Sequence, residues 1–364
     1  MKIAIVLGTR PEIIKMSPII RECEREKLEY FILHTGQHYS HEMDGAFFEE
    51  LELPEPKYNL DIGSGSHGEQ TGKMLMALEK ILAEERPDMV LVEGDTNTSL
   101  AGTLAAVKMD IRVGHIEAGM RSYDRTMPEE VNRILVDHIA DYRFAPSVNA
   151  RNIMLGEGIP ADTIFVTGNT IVQAVHDHLE IAERRAHVLA VLGLVKEGYF
   201  LATSHRQENV DAPRRLKGIL DGLQLVQQEF SLPVIFPVHP RTRKRIVEFG
   251  LEVGSGIRLI EPVGFLEFLQ LEQYARLILT DSGGVQMEAC ILSVPCVTLR
   301  DNTEWTETIE VGANVLSGCE PDRILESVKL MLGRERDWSN PFGDETSAVR
   351  TLICLLGASR LVHA

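Results

Sequence analysis

Six short stretches set cations, carboxylates or bare backbone directly after runs that read as β-strands. Gly8-Thr9-Arg10-Pro11-Glu12-Ile13-Ile14-Lys15 follows the first such run. Pro11 suits the first turn of a helix, so Arg10 falls at the strand end and Lys15 about one turn in. Cations beside a helix N-terminus make an anion site. From this stretch alone, a strand–helix turn with solvated charges reads equally well. It is neither GxGxxG nor a phosphate loop, so no nicotinamide cofactor is expected.

Three acidic stretches come next. In Glu93-Gly94-Asp95-Thr96-Asn97-Thr98, Asp95 either points off a strand end or caps the helix beginning near Thr98. In His115-Ile116-Glu117-Ala118-Gly119-Met120-Arg121-Ser122, Glu117 again ends a strand, among apolar and small neighbours. In Met127-Pro128-Glu129-Glu130-Val131-Asn132-Arg133, Pro128 fits a helix start and both glutamates suit its first turn. Capping accounts for any one of these. Three in succession exceed what capping requires, and two or three carboxylates at one mouth suit acid–base chemistry on a sugar carbon.

Two further stretches lie in the second half. Thr203-Ser204-His205-Arg206-Gln207-Glu208-Asn209 offers His205 and Arg206 to a pyrophosphate, or forms a surface loop of mixed charge. Leu279-Thr280-Asp281-Ser282-Gly283-Gly284-Val285-Gln286-Met287-Glu288 carries the strongest local signal. A strand ends, two glycines let a phosphate approach backbone N–H groups, and a helix starts. Glu288 falls about one turn into it, where a carboxylate can accept two ribose hydroxyls. His176 and His178 lack partners at metal spacing and read as solvated histidines, and no metal is expected.

The elements that must position these residues are short Ile/Val-rich runs alternating with helical patterns. Candidate strands are Ile3–Leu7, Phe31–Thr35, Met89–Glu93, Val113–Glu117, Tyr142–Ala145 and Ile164–Thr167, then Tyr199–Thr203, Val234–Val238, Arg258–Ile260, Leu277–Leu279 and Val297–Leu299. Continuous apolar strands separated by helices imply parallel sheets covered on both faces. The series breaks once, in the helical stretch between Gly168 and Gly198. The expectation is an α/β chain of two Rossmann-like doubly wound domains, 1–168 and 169–346, with a terminal helix at about 347–364 packing back on the first. Two such sheets in tandem would set a ligand cleft between their strand C-terminal ends.

Bulk properties narrow the function. A single core stops growing near about 250–300 residues, so 364 residues favour two domains. A net charge of −17 provides no basic field for nucleic acid or an anionic membrane. No run approaches the roughly 18 apolar residues of a membrane span. Five scattered cysteines without a CxxC read as buried, reduced thiols of a cytoplasmic protein.

Nine stretches in order resemble the non-hydrolysing UDP-N-acetylglucosamine 2-epimerase family: GTRPEIIK, TGQHY, GDTNT, HIEAGMRS, MPEEVNR, SHRQEN, EPVGF, TDSGGVQMEA and RDNTEWTE. The resemblance implies a glycosyltransferase-B-like architecture, a UDP-sugar substrate, a homodimer and no cofactor. It implies that Arg10, His205, Ser282, Gly283 and Gly284 hold the diphosphate and Glu288 the ribose. Glu261–Phe268 would pack around uracil, through backbone near Val263 and the Phe268 ring. Lys15, Asp95, Glu117, Glu129 and His205 match catalytic and substrate-contacting positions. Gln37 and His38 match part of an activating second site, although Ser40 stands where such members carry another Gln. Trp305 stands where many members have Arg, and Trp is also seen in relatives acting on UDP-2,3-diacetamido-2,3-dideoxyglucuronic acid. That substrate, and a UDP-sugar glycosyltransferase, are the alternative readings.

Overall fold

The computed structural model describes residues 1–37 and 41–362, the side chains of 41–44 and 358–362 excepted. By packing, Met1–Asp177 with Phe342–Ala364 form one compact unit and His178–Pro341 a second.

The first unit runs β1 (Lys2–Leu7), α1 (Arg10–Arg25), β2 (Glu29–His34), α2 (His41–Glu50), β3 (Tyr58–Asn59), α3 (His67–Glu85), β4 (Met89–Glu93), α4 (Asn97–Lys108), β5 (Arg112–Ile116), α5 (Pro128–Ile139), β6 (Tyr142–Ala145), α6 (Val148–Gly156) and β7 (Ile164–Val166). Helix α7 (Thr170–Arg185) begins in this unit and ends in the next. The second unit continues with α8 (Val188–Leu192), β8 (Phe200–Thr203), α9 (Gln207–Val210), α10 (Pro213–Phe230), β9 (Val234–Pro237), α11 (Pro240–Glu248), β10 (Ile257–Ile260), α12 (Phe265–Gln273), β11 (Leu277–Thr280), α13 (Gly283–Ile291), β12 (Cys296–Thr298), α14 (Thr306–Glu310), β13 (Asn314–Leu316) and α15 (Pro321–Leu332). Helix α16 (Ser347–Val362) packs against α1 of the first unit.

Both sheets are wholly parallel, in the orders β3-β2-β1-β4-β5-β6-β7 and β10-β9-β8-β11-β12-β13. Their strands read as near-continuous apolar runs because helices cover both faces: all of β4, Met-Val-Leu-Val-Glu, is buried. Ala4, Val6, Val90 and Val92 pack under Leu78 and Leu82 of α3. Phe200, Phe236, Leu279 and Val297 pack under Leu216, Leu220 and Leu223 of α10. The edge strands β3 and β13 carry no hydrophobic run in the sequence; two or three residues long, they are set by pairing with β2 and β12.

Each order reverses once, between β1 and β4 and between β8 and β11, and ligands of doubly wound sheets bind at the strand C-terminal ends beside that reversal. Four of the six chemical stretches follow those four strands.

Candidate active site

In the first unit, residues remote in sequence meet at the ends of β1, β4 and β5. Lys15, one turn into α1, directs its ammonium at two carboxyls: Glu117 Oε1 at 2.7 Å and Glu93 Oε1 at 3.0 Å. Glu117 Oε2 accepts a hydrogen bond from Asn169 Nδ2 at 2.9 Å. Burial alone disfavours the ammonium, but Glu117 and Glu93 outweigh it and raise the Lys15 pKa above its ordinary value. Glu117 has φ of 63°, the left-handed region that non-glycine residues rarely occupy. Holding a non-glycine residue there costs on the order of 1–3 kcal/mol, which the contacts around it must offset.

Asp95 lies in the turn after β4 and is held by Arg133 of α5, whose Nε donates at 3.1 Å and whose Nη2 also donates. Asn132 of the same helix donates to the Asp95 carbonyl at 3.0 Å. The cap of α4 is Thr96, whose hydroxyl accepts from Ser99 N at 3.1 Å, so Asp95 is not spent on capping. Burial opposes the Arg133 charge, yet Asp95, Glu130 and Glu117 together raise its pKa.

Three carboxylates act as organisers. Glu12, buried in α1, accepts from Gly8 N, Thr9 Oγ1 and Thr96 Oγ1 at 3.0, 2.8 and 2.7 Å, joining the turns after β1 and β4. Gly8 must be glycine: a Cβ there would lie 2.0 Å from Thr35 Oγ1 and 2.4 Å from Thr98 Oγ1. Glu130 accepts from Ser122 N and Oγ and Tyr123 N, each at 2.9 Å, and from Arg133. Burial raises the Glu130 pKa, but these donors outweigh it and hold it below the ordinary value. Asp137, buried in α5, accepts from Arg121 and faces His115 Nδ1 at 2.8 Å, while His115 Nε2 faces the Gly94 carbonyl at 2.8 Å. This chain fixes the turn that presents Asp95.

The second unit has a cavity of about 250 Å³ at the ends of β8 and β11, lined by His205, Val263, Phe268 and Ser282 together with Ser204, His239, Pro262 and Val285. Asp281 orders two of the residues that line it, Ser204 and His205. Its wholly buried carboxylate accepts from Ser204 Oγ at 2.7 Å, His205 N at 3.0 Å, Arg206 N at 3.1 Å and Asn209 Nδ2 at 3.0 Å. Burial lowers the His205 pKa; Asp281 opposes this, and Arg206 and His239 reinforce it. Ser282 precedes α13 without a side-chain cap, and a Cβ on the exposed Gly284 would meet only Ser282 Oγ, at 3.9 Å, so the helix N-terminus is accessible to an anion. A Cβ on Gly283 would lie 2.6 Å from Glu304 Oε1 and 3.0 Å from Trp305 Nε1. The buried Trp305 therefore packs on the glycine turn. Glu288 is half-buried in α13, beside the fully buried Glu272, whose pKa burial drives well up.

The structure thus joins Lys15, Glu117 and Asp95 in one unit and His205, Val263, Phe268, Ser282, Gly283 and Trp305 in the other. Arg10 opens α1 with its guanidinium 5.0 Å from the Phe47 ring. Glu129 stands exposed in the first turn of α5 and makes no hydrogen bond or ion pair among the described residues. Gln37 is buried, its Oε1 accepting from Thr98 Oγ1 at 2.9 Å; His38 lies outside the described residues. His178 is not solvated as its polar surroundings imply: it is fully buried, edge-on to Phe265 at 5.5 Å. Glu93, Arg133, His115, Asp137 and Asp281 all stand inside or beside the chemical stretches. A charged residue in or next to an apolar run was the available signal for them.

Two doubly wound units, each with charged or glycine-rich turns at its strand reversal, define a glycosyltransferase-B-like α/β protein. The sequence profile of the UDP-N-acetylglucosamine 2-epimerase family matches residues 21–356, and the chain belongs to that family. It is 56% identical over 356 residues to the UDP-N-acetylglucosamine 2-epimerase of Methanocaldococcus jannaschii, covering 96% of this chain and 97% of that one. The crystal structure of the M. jannaschii enzyme with UDP-GlcNAc and UDP superposes with a TM-score of 0.87, covering 98% of this chain and all of that one. The UDP-2,3-diacetamido-2,3-dideoxy-D-glucuronate 2-epimerase of Pseudomonas aeruginosa is 44% identical over 337 residues, covering 92% of this chain and 93% of that one.

Proposed function

We propose that this chain reversibly inverts C2 of UDP-N-acetylglucosamine to give UDP-N-acetylmannosamine, a precursor for surface glycans. The observation that carries the reading is the part-buried Lys15–Glu117 pair, with Asp95 held by Arg133 on a neighbouring strand end, in a chain whose second unit has a cavity of about 250 Å³ lined by His205, Val263, Phe268 and Ser282. The C2 proton of an acetamido sugar lies beside no ring carbonyl, so simple deprotonation is very slow. Anti elimination avoids this. A carboxylate takes the C2 proton, the C–H pair becomes the C1=C2 bond, and the C1–O pair leaves with UDP. UDP then adds back to 2-acetamidoglucal as a proton reaches the opposite face of C2.

Asp95, Glu117 and Glu129 share the acid and base roles, with Lys15 holding Glu117. Arg10, His205 and the Ser282–Gly284 turn take the charge that develops on the departing diphosphate, a contribution often worth about 3 kcal/mol per donor. Glu288 takes the ribose, and Val263 and Phe268 the uracil. The same reading makes the protein a cytoplasmic homodimer, on the strength of the family resemblance. No described helix is long and apolar enough to cross a membrane. A second reading, epimerisation of UDP-2,3-diacetamido-2,3-dideoxyglucuronic acid, is favoured by Trp305, which puts an indole against Gly283 where many relatives have a cation.

The test is product analysis after incubation with UDP-N-acetylglucosamine alone. The reading requires an equilibrium mixture of the two UDP-sugars. Free N-acetylmannosamine with UDP would indicate a hydrolysing enzyme. An unchanged substrate that is consumed only when an acceptor is added would indicate a glycosyltransferase.

A further inference from the structure

One ammonium serves two carboxyl groups in the first unit, the buried Glu93 and the part-buried Glu117, and the two are not equivalent. Glu117 has a donor on each oxygen, Lys15 on Oε1 and Asn169 on Oε2. Glu93, with its side chain only 3% exposed, has Lys15 3.0 Å from Oε1, yet that oxygen makes no hydrogen bond of good geometry among the described residues. The groups facing Glu93 are Lys15 and Glu12 from α1 and Glu117 from the turn after β5. Two ionised carboxylates on one ammonium leave a negative charge unbalanced and out of water, which is strongly disfavoured.

We propose that Glu93 is a positioning residue: it keeps a proton at neutral pH, clamps the Lys15 ammonium from the strand side, and leaves Glu117 as the charged partner of the pair. Burial pushes the Glu93 carboxyl well up; Lys15 pulls it down, and Glu117 and Glu12 push it further up. With Glu93 neutral, the ammonium acts on Glu117 alone. With Glu93 ionised, two carboxylates compete for Lys15 and the geometry of Glu117 loosens. The inference rests on the reading of Lys15 and Glu117 as parts of the epimerase site.

The test compares the full-length natural protein with Glu93→Ala and Glu93→Gln, by urea denaturation from pH 5 to 9 and by kcat and KM for UDP-N-acetylglucosamine over the same range. A carboxyl whose folded pKa is raised gives stability that is full below its ordinary pKa and is lost as pH rises through the folded value. The natural protein should therefore lose stability relative to Glu93→Gln as pH rises. Glu93→Ala should lower kcat by about 100-fold with KM little changed, since a loosened Lys15 misplaces Glu117. Glu93→Gln, isosteric with the neutral acid, should restore kcat at pH 7 to within about fivefold of the natural protein and extend activity to higher pH. The proposal is overturned if the natural protein and Glu93→Gln lose stability in parallel, or if folded Glu93→Gln is as slow as Glu93→Ala. If the natural protein does not epimerise at all, the functional reading fails, and the stability comparison still decides the proton on Glu93.

Discussion

Replacing Asp281 by Asn tests the architecture of the second unit most sharply. The carboxylate is wholly buried and takes four donors, all of which reach Oδ2, the His205 N–H being shared between Oδ1 at 3.0 Å and Oδ2 at 3.1 Å. An amide keeps one oxygen and sets an NH₂ group in place of the other. In the best orientation the four donors keep one oxygen but lose its charge, and the His205 N–H, which keeps the oxygen at 3.1 Å, also faces the new NH₂ group in place of Oδ1 at 3.0 Å. Hydrogen bonds to a charged group contribute about 1.5–3 kcal/mol against about 1 for neutral ones, so each of the four loses on the order of 1 kcal/mol. The sum is a loss of roughly 3–5 kcal/mol from this unit. For a unit of this size that lowers the melting temperature by about 6–20 °C. Scanning calorimetry of the full chain reads it, with Ser204→Ala, which removes one donor, costing about 1 kcal/mol. Because the same carboxylate sets the His205 and Arg206 backbone, UDP affinity by titration calorimetry should fall by at least about tenfold, or 1.4 kcal/mol. An Asp281→Asn protein that melts within about 2 °C of the natural one and binds UDP equally well would refute the reasoning.

Other expectations follow from the same geometry. Lys15→Met leaves Glu117 without its cation, beside a neutral Glu93; stranding the charge of a largely desolvated pair costs about 3 kcal/mol, and denaturation should show a larger loss at pH 8 than at pH 6, since uptake of a proton relieves the stranded charge. Gly283→Ala pushes a Cβ into the Glu304 carboxylate and the Trp305 indole, so UDP binding measured by calorimetry should weaken by about tenfold while the far-ultraviolet spectrum is unchanged. The His205 pKa is lowered by folding, which gives stability above its ordinary pKa that is lost as pH falls through the folded value; His205→Asn should remove that acid dependence from the calorimetric melting curve.

Much of this was legible in the sequence. Continuous Ile/Val runs marked the strands, because a parallel sheet buried on both faces needs apolar side chains throughout. GTRPEIIK, GDTNT, SHRQEN and TDSGGVQMEA were legible as turns directly after strands, but that those four strands flank the two reversals comes from the sheet order alone. The strands Tyr58–Asn59 and Asn314–Leu316 were not legible, since their pairing comes from neighbouring strands and not from their own residues. The division of labour among carboxylates was also hidden. Glu129 and Glu130 are equivalent in sequence, yet helix phase sends Glu130 inward to the Ser122–Tyr123 backbone and leaves Glu129 exposed. His178 sits in a polar stretch, and only tertiary packing against Phe265 buries it.

The central claim is that C2 loses its proton and regains one from the opposite side while UDP leaves and returns. Incubation with UDP-N-acetylglucosamine in deuterium oxide, read by proton NMR, tests it most directly. The expected product is UDP-N-acetylmannosamine carrying deuterium at C2, with the C2 proton signal absent from the product as it forms and no exchange in Asp95→Asn or Glu117→Gln above background. Epimerised product that retains its original proton at C2, or full exchange in both carboxylate variants, would contradict it.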